Sequence, residues 1–302
     1  MWIKLGLDLG GTKTEIVAMD EAGRVLLRRR RPTPSAYKDI VGNIVTLVNE
    51  AEAELRSPPG TRHTIGLGIP GSISPATGLV RNANTQELNG RPFDRDLRAA
   101  LGREVRIMND ANCLAMSEAA DGAGKGYDVV FAVILGTGVG AGIVVHGRPL
   151  EGLNRIAGEW GHSPLPWMKP GELPGTHCWC GHDNCLETYL SGPGLAMDTF
   201  GPGQRDASSI EEKAAAGDPI AQAGLARHAS RLARALANLV NTLDPDVIVL
   251  GGGVSNMRHP YRDVPRLMEP WIFGDSHTVN IVQAAHGDSS GVFGAARLWD
   301  HG

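Results

Sequence analysis

The densest chemistry in the chain lies between two glutamates. The stretch opens Ala157-Gly158-Glu159-Trp160-Gly161-His162 and, after a Pro- and Gly-rich loop, continues Cys178-Trp179-Cys180-Gly181-His182-Asp183-Asn184-Cys185-Leu186-Glu187. One histidine and three cysteines make a complete tetrahedral zinc set, and a closed set of soft ligands is structural rather than catalytic. His177 and His182 lie among the cysteines and can stand in for His162 as the nitrogen ligand. The carboxylates at the two ends, Glu159 and Glu187, are then the candidates for substrate contact.

Two glycine turns carry a second kind of chemistry. Gly10-Gly11-Thr12-Lys13 follows Asp8, and Gly136-Thr137-Gly138-Val139-Gly140 follows an apolar run. Unhindered backbone N–H groups and a threonine hydroxyl are what nucleotide phosphates need. Asp8 is placed to hold Mg²⁺ through water, since magnesium keeps several waters. Gly251-Gly252-Gly253 after a buried apolar strand adds a third glycine run. Asn109-Asp110-Ala111-Asn112 sits where a strand gives way to a helix. Its structural reading is an N-cap; its functional reading makes Asp110 a base at the carboxyl end of a strand, where open α/β sheets bind ligands. Both can hold at once.

The elements that must position these groups are legible in the periodicities. Residues 3–9 and 14–19 read as strands, so the first glycine turn joins strand to strand, whereas a Walker loop or dinucleotide fingerprint joins strand to helix. Residues 129–135, a glycine-rich turn over 136–142 and a strand over 143–147 repeat the unit, which predicts an internal duplication and two βββαβα lobes facing one cleft. Helical patterns cover 39–55, 109–120, 192–200, 210–216 and 219–243, with a terminal helix at the carboxyl end. Arg28 to Arg31 reads as a solvated strand end rather than a nucleic-acid patch.

Composition bounds the rest. The 302 residues, 42% apolar and 21% charged, are those of an ordinary globular protein, and the length favours two lobes. A net charge of −4 without a long basic tract argues against nucleic acid. Four cysteines, three at metal-ligand spacing, fit a reducing cytoplasm better than a disulfide framework. No signal peptide is read, and no apolar run approaches the ~20 residues of a membrane helix. Cys113, beside Leu114 and Met116, reads as a small core residue, and His63, His228, His259 and His277 as packing or surface. Trp160, Trp167 and Trp179 can either cover a ligand or pack the cysteine loop.

Asp8-Leu9-Gly10-Gly11-Thr12-Lys13, Asn109-Asp110-Ala111-Asn112, Leu135-Gly136-Thr137-Gly138-Val139-Gly140, Glu159-Trp160-Gly161-His162 and the cysteine block together resemble the ROK family (repressor, open reading frame, kinase) along essentially the whole chain. Gly68-Ile69-Pro70-Gly71-Ser72-Ile73-Ser74-Pro75, Asn82-Ala83-Asn84, Leu88-Asn89-Gly90, Ser163-Pro164-Leu165-Pro166-Trp167 and His286-Gly287-Asp288-Ser289-Ser290-Gly291 resemble its fructokinase subgroup, also called mannokinase. The resemblance implies an α/β, actin-like (ribonuclease H-like), duplicated two-lobe ATPase fold with a zinc-binding loop. It implies a small lobe over residues 1–108, joined by the C-terminal helix 291–302, and a large lobe over 109–290 carrying the zinc loop 157–187.

In function it implies an ATP-dependent hexose kinase using Mg²⁺ with ATP. Fructose 6-phosphate is the leading product, with mannose and glucose as side substrates. N-acetylglucosamine kinase or glucokinase is the alternative within the family. Asp110 becomes the general base. Asn84, Asn109, Glu159, His162 and Glu187 ring the sugar. Asp8, Gly10, Gly11, Thr12, Lys13, Thr137, Gly138, Gly251 and Gly252 surround the phosphates. The structural zinc falls to His162, Cys178, Cys180 and Cys185, the family likeness favouring His162 over His177 and His182. Homodimers are frequent in the family, and no nucleic-acid or membrane partner is implied. Sugar-responsive repressors of the family carry an N-terminal helix-turn-helix extension; here the first glycine turn begins within ten residues of Met1, which favours the kinase.

Overall fold

The computed structural model describes residues 2–275, 277–287 and 290–300. Strand β1 (Trp2–Leu9) buries Ile3, Leu5, Leu7 and Leu9 at the alternate positions a strand requires. It turns at residues 10–12 and returns antiparallel as β2 (Lys13–Met19), and β3 (Val25–Pro32) completes a meander. Helix α1 (Tyr37–Leu55) carries the chain back, burying Ile40, Ile44, Leu47, Val48 and Ala51 on one face. Then β4 (Arg62–Ile69) pairs parallel to β1; a small hairpin of β5 (Ser72–Ile73) and β6 (Val80–Arg81), helix α2 (Phe93–Leu101) and strand β7 (Arg106–Asn109) follow, β7 pairing parallel to β4.

After helix α3 (Asp110–Asp121) the plan repeats. Strands β8 (Val129–Leu135), β9 (Val139–Val145) and β10 (Arg148–Pro149) form a second antiparallel meander. The cysteine loop and helices α4 (Glu187–Leu190), α5 (Gly192–Phe200), α6 (Ile210–Ala215) and α7 (Pro219–Leu243) intervene before β11 (Val247–Gly251), which pairs parallel to β8. Short helices α8 (His259–Arg262) and α9 (Val264–Met268) lead to β12 (Ile281–Gln283), parallel to β11, and to α10 (Ser290–Ala296). One sheet runs β3-β2-β1-β4-β7, the other β10-β9-β8-β11-β12. Strand for strand, in order and in direction, the second sheet repeats the first, as the paired glycine turns led us to expect.

The two halves are crossed through their helices. Helix α3, which leaves the first sheet, packs on β8 and β9 of the second; α10, which leaves the second sheet, packs on β1 and β4 of the first; and α3 and α10 pack on each other. Cys113 is buried at that crossing beside Ala295 and Leu298, and burial pushes its thiol well above the ordinary range, so it is the core residue its neighbours implied. The crossing also holds Glu118, fully buried on α3. Its Oε1 accepts from the His286 N–H (3.1 Å) and Ser290 Oγ (2.9 Å), its Oε2 from the N–H groups of Ala123 and Ala285 (2.9 Å each). Four donors replace the water this carboxylate loses.

Several expectations are corrected. The second glycine turn is only residues 136–138, and β9 begins at Val139 rather than at 143. Gly142 belongs to the strand because α3 lies against it: a Cβ there would stand 2.4 Å from the Ala111 carbonyl oxygen. The glycines after 138 therefore serve packing, not turning. The terminal helix starts at Ser290 and tightens to a 3₁₀ turn over Arg297–Trp299; residues 301 and 302 of the expected span, and Asp288 and Ser289 of the 286–291 motif, lie outside the described residues. The Arg28 to Arg31 run lies on β3, with Arg28 and Arg30 paired to Glu15 on β2, and Arg29 and Arg31 paired to Glu54 and Glu50 on α1. His63 bonds Glu52 and Ser57, while His228 and His259 form a buried, mutually bonded pair. Among the described residues no helix is long and apolar enough to cross a membrane.

Candidate active site

Asp110 stands where β7 meets α3. Asn109 caps the helix, its Oδ1 accepting from Ala111 N–H (2.9 Å) and Asn112 N–H (3.4 Å), while its Nδ2 donates to the Gly71 carbonyl (3.1 Å). The cap thus frees Asp110 to face the interlobe cleft, with one carboxylate oxygen steadied by Ala111 N–H at 2.8 Å. Burial, with the nearby charge of Glu159, pushes the Asp110 carboxyl up to about 6, against the Ala111 hydrogen bond that lowers it. A carboxylate so poised is mostly ionised at neutral pH and a stronger base than an ordinary aspartate.

Asp8 ends β1 nearby. Burial, then the charges of Asp110 and Glu15, push it up to about 7, with Lys13 and Arg30 opposing. A covered carboxylate raised by neighbouring negative charge makes a place that favours a cation. The first turn closes on Gly10 N–H to Lys13 carbonyl (2.9 Å), and Thr33 Oγ1 bonds the Gly10 carbonyl (2.7 Å). The second turn is built alike, Gly136 N–H to Gly138 carbonyl at 3.0 Å. Gly252 abuts this second turn at the Leu135 and Gly136 backbone.

The cysteine loop folds into a compact knuckle. Cys178 N–H donates to the His182 carbonyl (2.8 Å) and Gly181 N–H to the Cys178 carbonyl (3.0 Å). His162, Cys178, Cys180 and Cys185 bring their ligand atoms within 4.8 Å of one another. Cys180 and Cys185 sulfurs are 3.5 Å apart, and Cys178 Sγ lies 3.6 Å from His162 Nδ1. Zinc–sulfur bonds of about 2.3 Å and a zinc–nitrogen bond of about 2.0 Å require tetrahedral edges of roughly 3.5–3.8 Å, so the donor set fits a zinc ion. His177 instead bonds Asp183 (2.9 Å); His182 comes within 3.6 Å of Cys180 Sγ but is outside the four.

The 3₁₀ turn Glu159–His162 is pressed against β9: a Cβ on Gly161 would stand 1.9 Å from the Val139 carbonyl oxygen. Beneath the knuckle, Glu172 holds the loop to α7 through Arg234, fully buried, at 2.5 Å, and Arg231 at 3.1 Å; Arg234 also donates to the Trp167 carbonyl (2.7 Å). Burial raises the Glu172 carboxyl, but the arginine and Lys169 N–H hydrogen bonds outweigh it and hold the group at about 2.

A cleft of about 770 Å³ is lined by Asn84, Asp110, Thr137, Gly138, Cys178, Trp179 and Glu187, and extends past Pro193 and Met197 to Gln204 and Arg205. The structure thus gathers Asn84, Asp110, Thr137, Gly138 and Glu187 along one wall system. Asn109, Glu159 and His162 do not line it but adjoin residues that do: Asn109 caps the helix at Asp110, Glu159 bears on Asp110 by its charge, and the His162 ring meets Trp179. Asp8, the turn at 10–13, Gly251 and Gly252 are not among its walls; Asp8 is near enough to feel the charge of Asp110. Trp160 packs edge-on against Phe131 and Trp167 stacks on Trp271, so of the three tryptophans only Trp179 lines the cleft. A second interlobe cavity, about 400 Å³, opens between Arg98, Arg106, Arg148 and Arg155 and is lined by none of the candidate catalytic, binding or metal residues. Glu118, Glu172, Gln204 and Arg205 were not anticipated. A lone glutamate soon after the apolar stretch 113–116 was the signal available for Glu118; the others have none.

Comparison with known proteins agrees along the whole chain. The ROK family profile matches residues 4–301. An N-acetyl-D-glucosamine kinase of Yersinia pseudotuberculosis serotype O:1b (strain IP 31758) is 38% identical over 300 residues, covering 97% of each chain. The ROK hexokinase from Thermus thermophilus superposes with a TM-score of 0.83 at 33% identity, over 97% of this chain and 96% of that one. A ROK family glucokinase from Streptomyces griseus, solved with glucose and AMPPNP, gives 0.79 at 28% identity, over 99% and 100%. The duplicated sheets, the Asn109-Asp110 junction and the His/Cys₃ knuckle are therefore those of a member of the ROK family, to which this chain belongs.

Proposed function

We propose that the protein is an ATP-dependent kinase of N-acetyl-D-glucosamine, forming the 6-phosphate. The observation that carries the reading is the Asp110 carboxylate, partly desolvated, in one cleft with the Thr137–Gly138 turn and Glu187, in a chain 38% identical to an N-acetyl-D-glucosamine kinase. The relatives turn the choice of sugar away from fructose. Of the motifs that favoured fructose, Ser72-Ile73-Ser74-Pro75 and residues 163–167 offer no wall to the cleft: Ser72 and Ile73 form the β5–β6 hairpin, Leu165 is buried, and Trp167 stacks on Trp271. Pro70, Gly71 and Asn82-Ala83-Asn84 of the same set do line it.

In this reading Asp110 takes the proton of the sugar 6-hydroxyl as its oxygen attacks the γ-phosphorus of ATP and the bond to the bridging oxygen breaks. Phosphoryl transfer has a loose transition state, so the protein acts mainly by alignment and charge. Asp8 fits a hydrated Mg²⁺, which neutralises phosphate charge when bound with ATP. The turns at 10–13 and 136–138, with Gly251 and Gly252, offer backbone N–H groups to the phosphates. Asn84, Asn109, Glu159, His162 and Glu187 orient the sugar, the two carboxylates accepting from its hydroxyls. His162, Cys178, Cys180 and Cys185 would hold a zinc ion, and a ring nitrogen of His162 given to the metal would leave the other as an N–H donor of fixed direction.

The test is sugar-dependent ADP release with MgATP across N-acetylglucosamine, glucose, mannose and fructose. The highest kcat/KM is expected for N-acetylglucosamine. Another sugar exceeding it tenfold overturns the substrate assignment, and absence of ADP release with every sugar overturns the kinase reading.

A further inference from the structure

Trp179 stands between two of the cluster cysteines, yet its side chain is neither a ligand nor buried. It is 63% exposed on the wall of the cleft, an uncommon degree of exposure for a large aromatic ring without a task. Its ring meets the His162 imidazole edge-on, centroids 5.0 Å apart at 89°. Its indole Nε1–H donates to Glu187 Oε1 at 2.7 Å. The other carboxylate oxygen, Oε2, accepts from Val139 N–H at 2.9 Å, at the foot of the second glycine turn. Glu187 is therefore gripped on both oxygens, by a loop residue on one side and by the sheet on the other. Each oxygen keeps a lone pair for a hydroxyl in the cleft.

We infer that Trp179 is a positioning residue that converts order in the metal knuckle into the orientation of Glu187. The indole can only donate, so it holds the carboxylate without competing for a hydroxyl hydrogen. Its own direction is set by the ligands on either side, Cys178 and Cys180, and by the imidazole of His162 against its ring. Metal occupancy then tunes a substrate contact through one hydrogen bond from a side chain that never touches the metal. The inference rests on the reading of Glu187 as a sugar contact, and so needs one readout of its own.

The experiment uses the zinc-loaded protein with Trp179→Phe, which keeps a ring against His162 and removes the N–H, alone and combined with Glu187→Ala. A charge-assisted hydrogen bond lost from one partner leads us to expect about tenfold weaker N-acetylglucosamine binding by calorimetry. KM should rise with it, kcat should stay within about threefold, and zinc content and melting temperature should be unchanged. In the Glu187→Ala background Trp179→Phe should add less than about twofold, the mark of two residues acting as one unit. Unchanged affinity in the single variant, or a full tenfold effect in the Glu187→Ala background, overturns the inference.

The indole ¹⁵N–¹H resonance of Trp179, identified by its loss in Trp179→Phe, gives a readout independent of any sugar. It should shift in Glu187→Ala and again when the metal is chelated. A resonance indifferent to both overturns the coupling whatever the substrate proves to be. A resonance that responds to both, with no sugar bound by any variant, keeps the coupling and overturns the substrate reading instead.

Discussion

The two sheets share one plan and divide the chemistry between them. Asp8 lies two residues before Gly10 in the first half; the residue two before Gly136 in the second half is Ile134. The strand ends of the first sheet supply both catalytic candidates, Asp8 on β1 and Asp110 after β7. The second half supplies the His/Cys₃ knuckle and Glu187 from the excursion between β10 and β11 that the first half lacks, and the Thr137–Gly138 wall of the cleft from the turn between β8 and β9. Duplication thus copied the scaffold, while function was placed at strand ends and in the connections beyond them, as expected where loops can change without disturbing a packed sheet.

The division of labour should break first at Asp110. Asp110→Asn should lower kcat about 10²–10⁴-fold while leaving sugar binding and the melting temperature near wild type, as read by ADP release, calorimetry and thermal unfolding. In the wild type, kcat/KM should fall as pH drops through about 6, where the free-enzyme base takes up its proton. A flat profile from pH 5 to 8 would remove Asp110 from the role of base.

The second half should fail in a different manner. Cys180→Ser, or chelation, should lower sugar affinity and melting temperature together, because metal affinity is folding free energy. About 2–4 °C is expected for each kcal/mol lost in a chain of this order of size. Loss of activity at unchanged affinity and stability would make the metal catalytic.

Smaller effects should come from the crossing between the halves. Glu118→Gln substitutes a donor for one of two acceptor oxygens, each serving two donors, and should cost ~1–3 kcal/mol of stability by denaturant unfolding with little change in KM. The smallest is a pH signature at Asp8. Its folded value of about 7 lies above the ordinary 3.8, so the stability it contributes is full below about 4 and lost as pH rises through 7. Asp8→Asn removes that loss, and its melting-temperature gain over wild type should be larger at pH 8 than at pH 5. An equal gain at both would mean that Asp8 is not desolvated as described.

Much of this was legible in the chain alone. The 219–243 helix shows its apolar face in sequence and stops at Asp244 before Pro245, where the structure has α7; its cap, Asp218, is a finding of the structure. The strand-turn-strand character of Gly10-Gly11-Thr12 and the His/Cys₃ set were also readable, since turn chemistry and ligand type are local properties. The extent of β9 was not, because Gly142 looks like a turn residue until α3 is known to lie on it. The choice among sugars was not legible either: of the segments that suggested fructose, Asn82-Ala83-Asn84 lines the cleft while Ser72, Ile73 and Leu165 pack away from it, and sequence likeness does not separate residues that face a ligand from those that support it.

What the sequence by itself determined is therefore what depends on neighbours along the chain: periodicity, caps, turns, the kind of metal donor and the presence of a carboxylate at a strand end. Tertiary structure alone decided what depends on distance across the chain. It gathered His162 with Cys178, Cys180 and Cys185 within 4.8 Å, joined Trp179 to Glu187 and that carboxylate to Val139, and gave Glu118 its four donors. It also raised Asp8 and Asp110 above the ordinary aspartate range. The physical reason is common to all of these. Desolvation and hydrogen bonding act over a few ångströms in space, and residues as far apart as Glu118 and Ser290 become partners only when two helices cross.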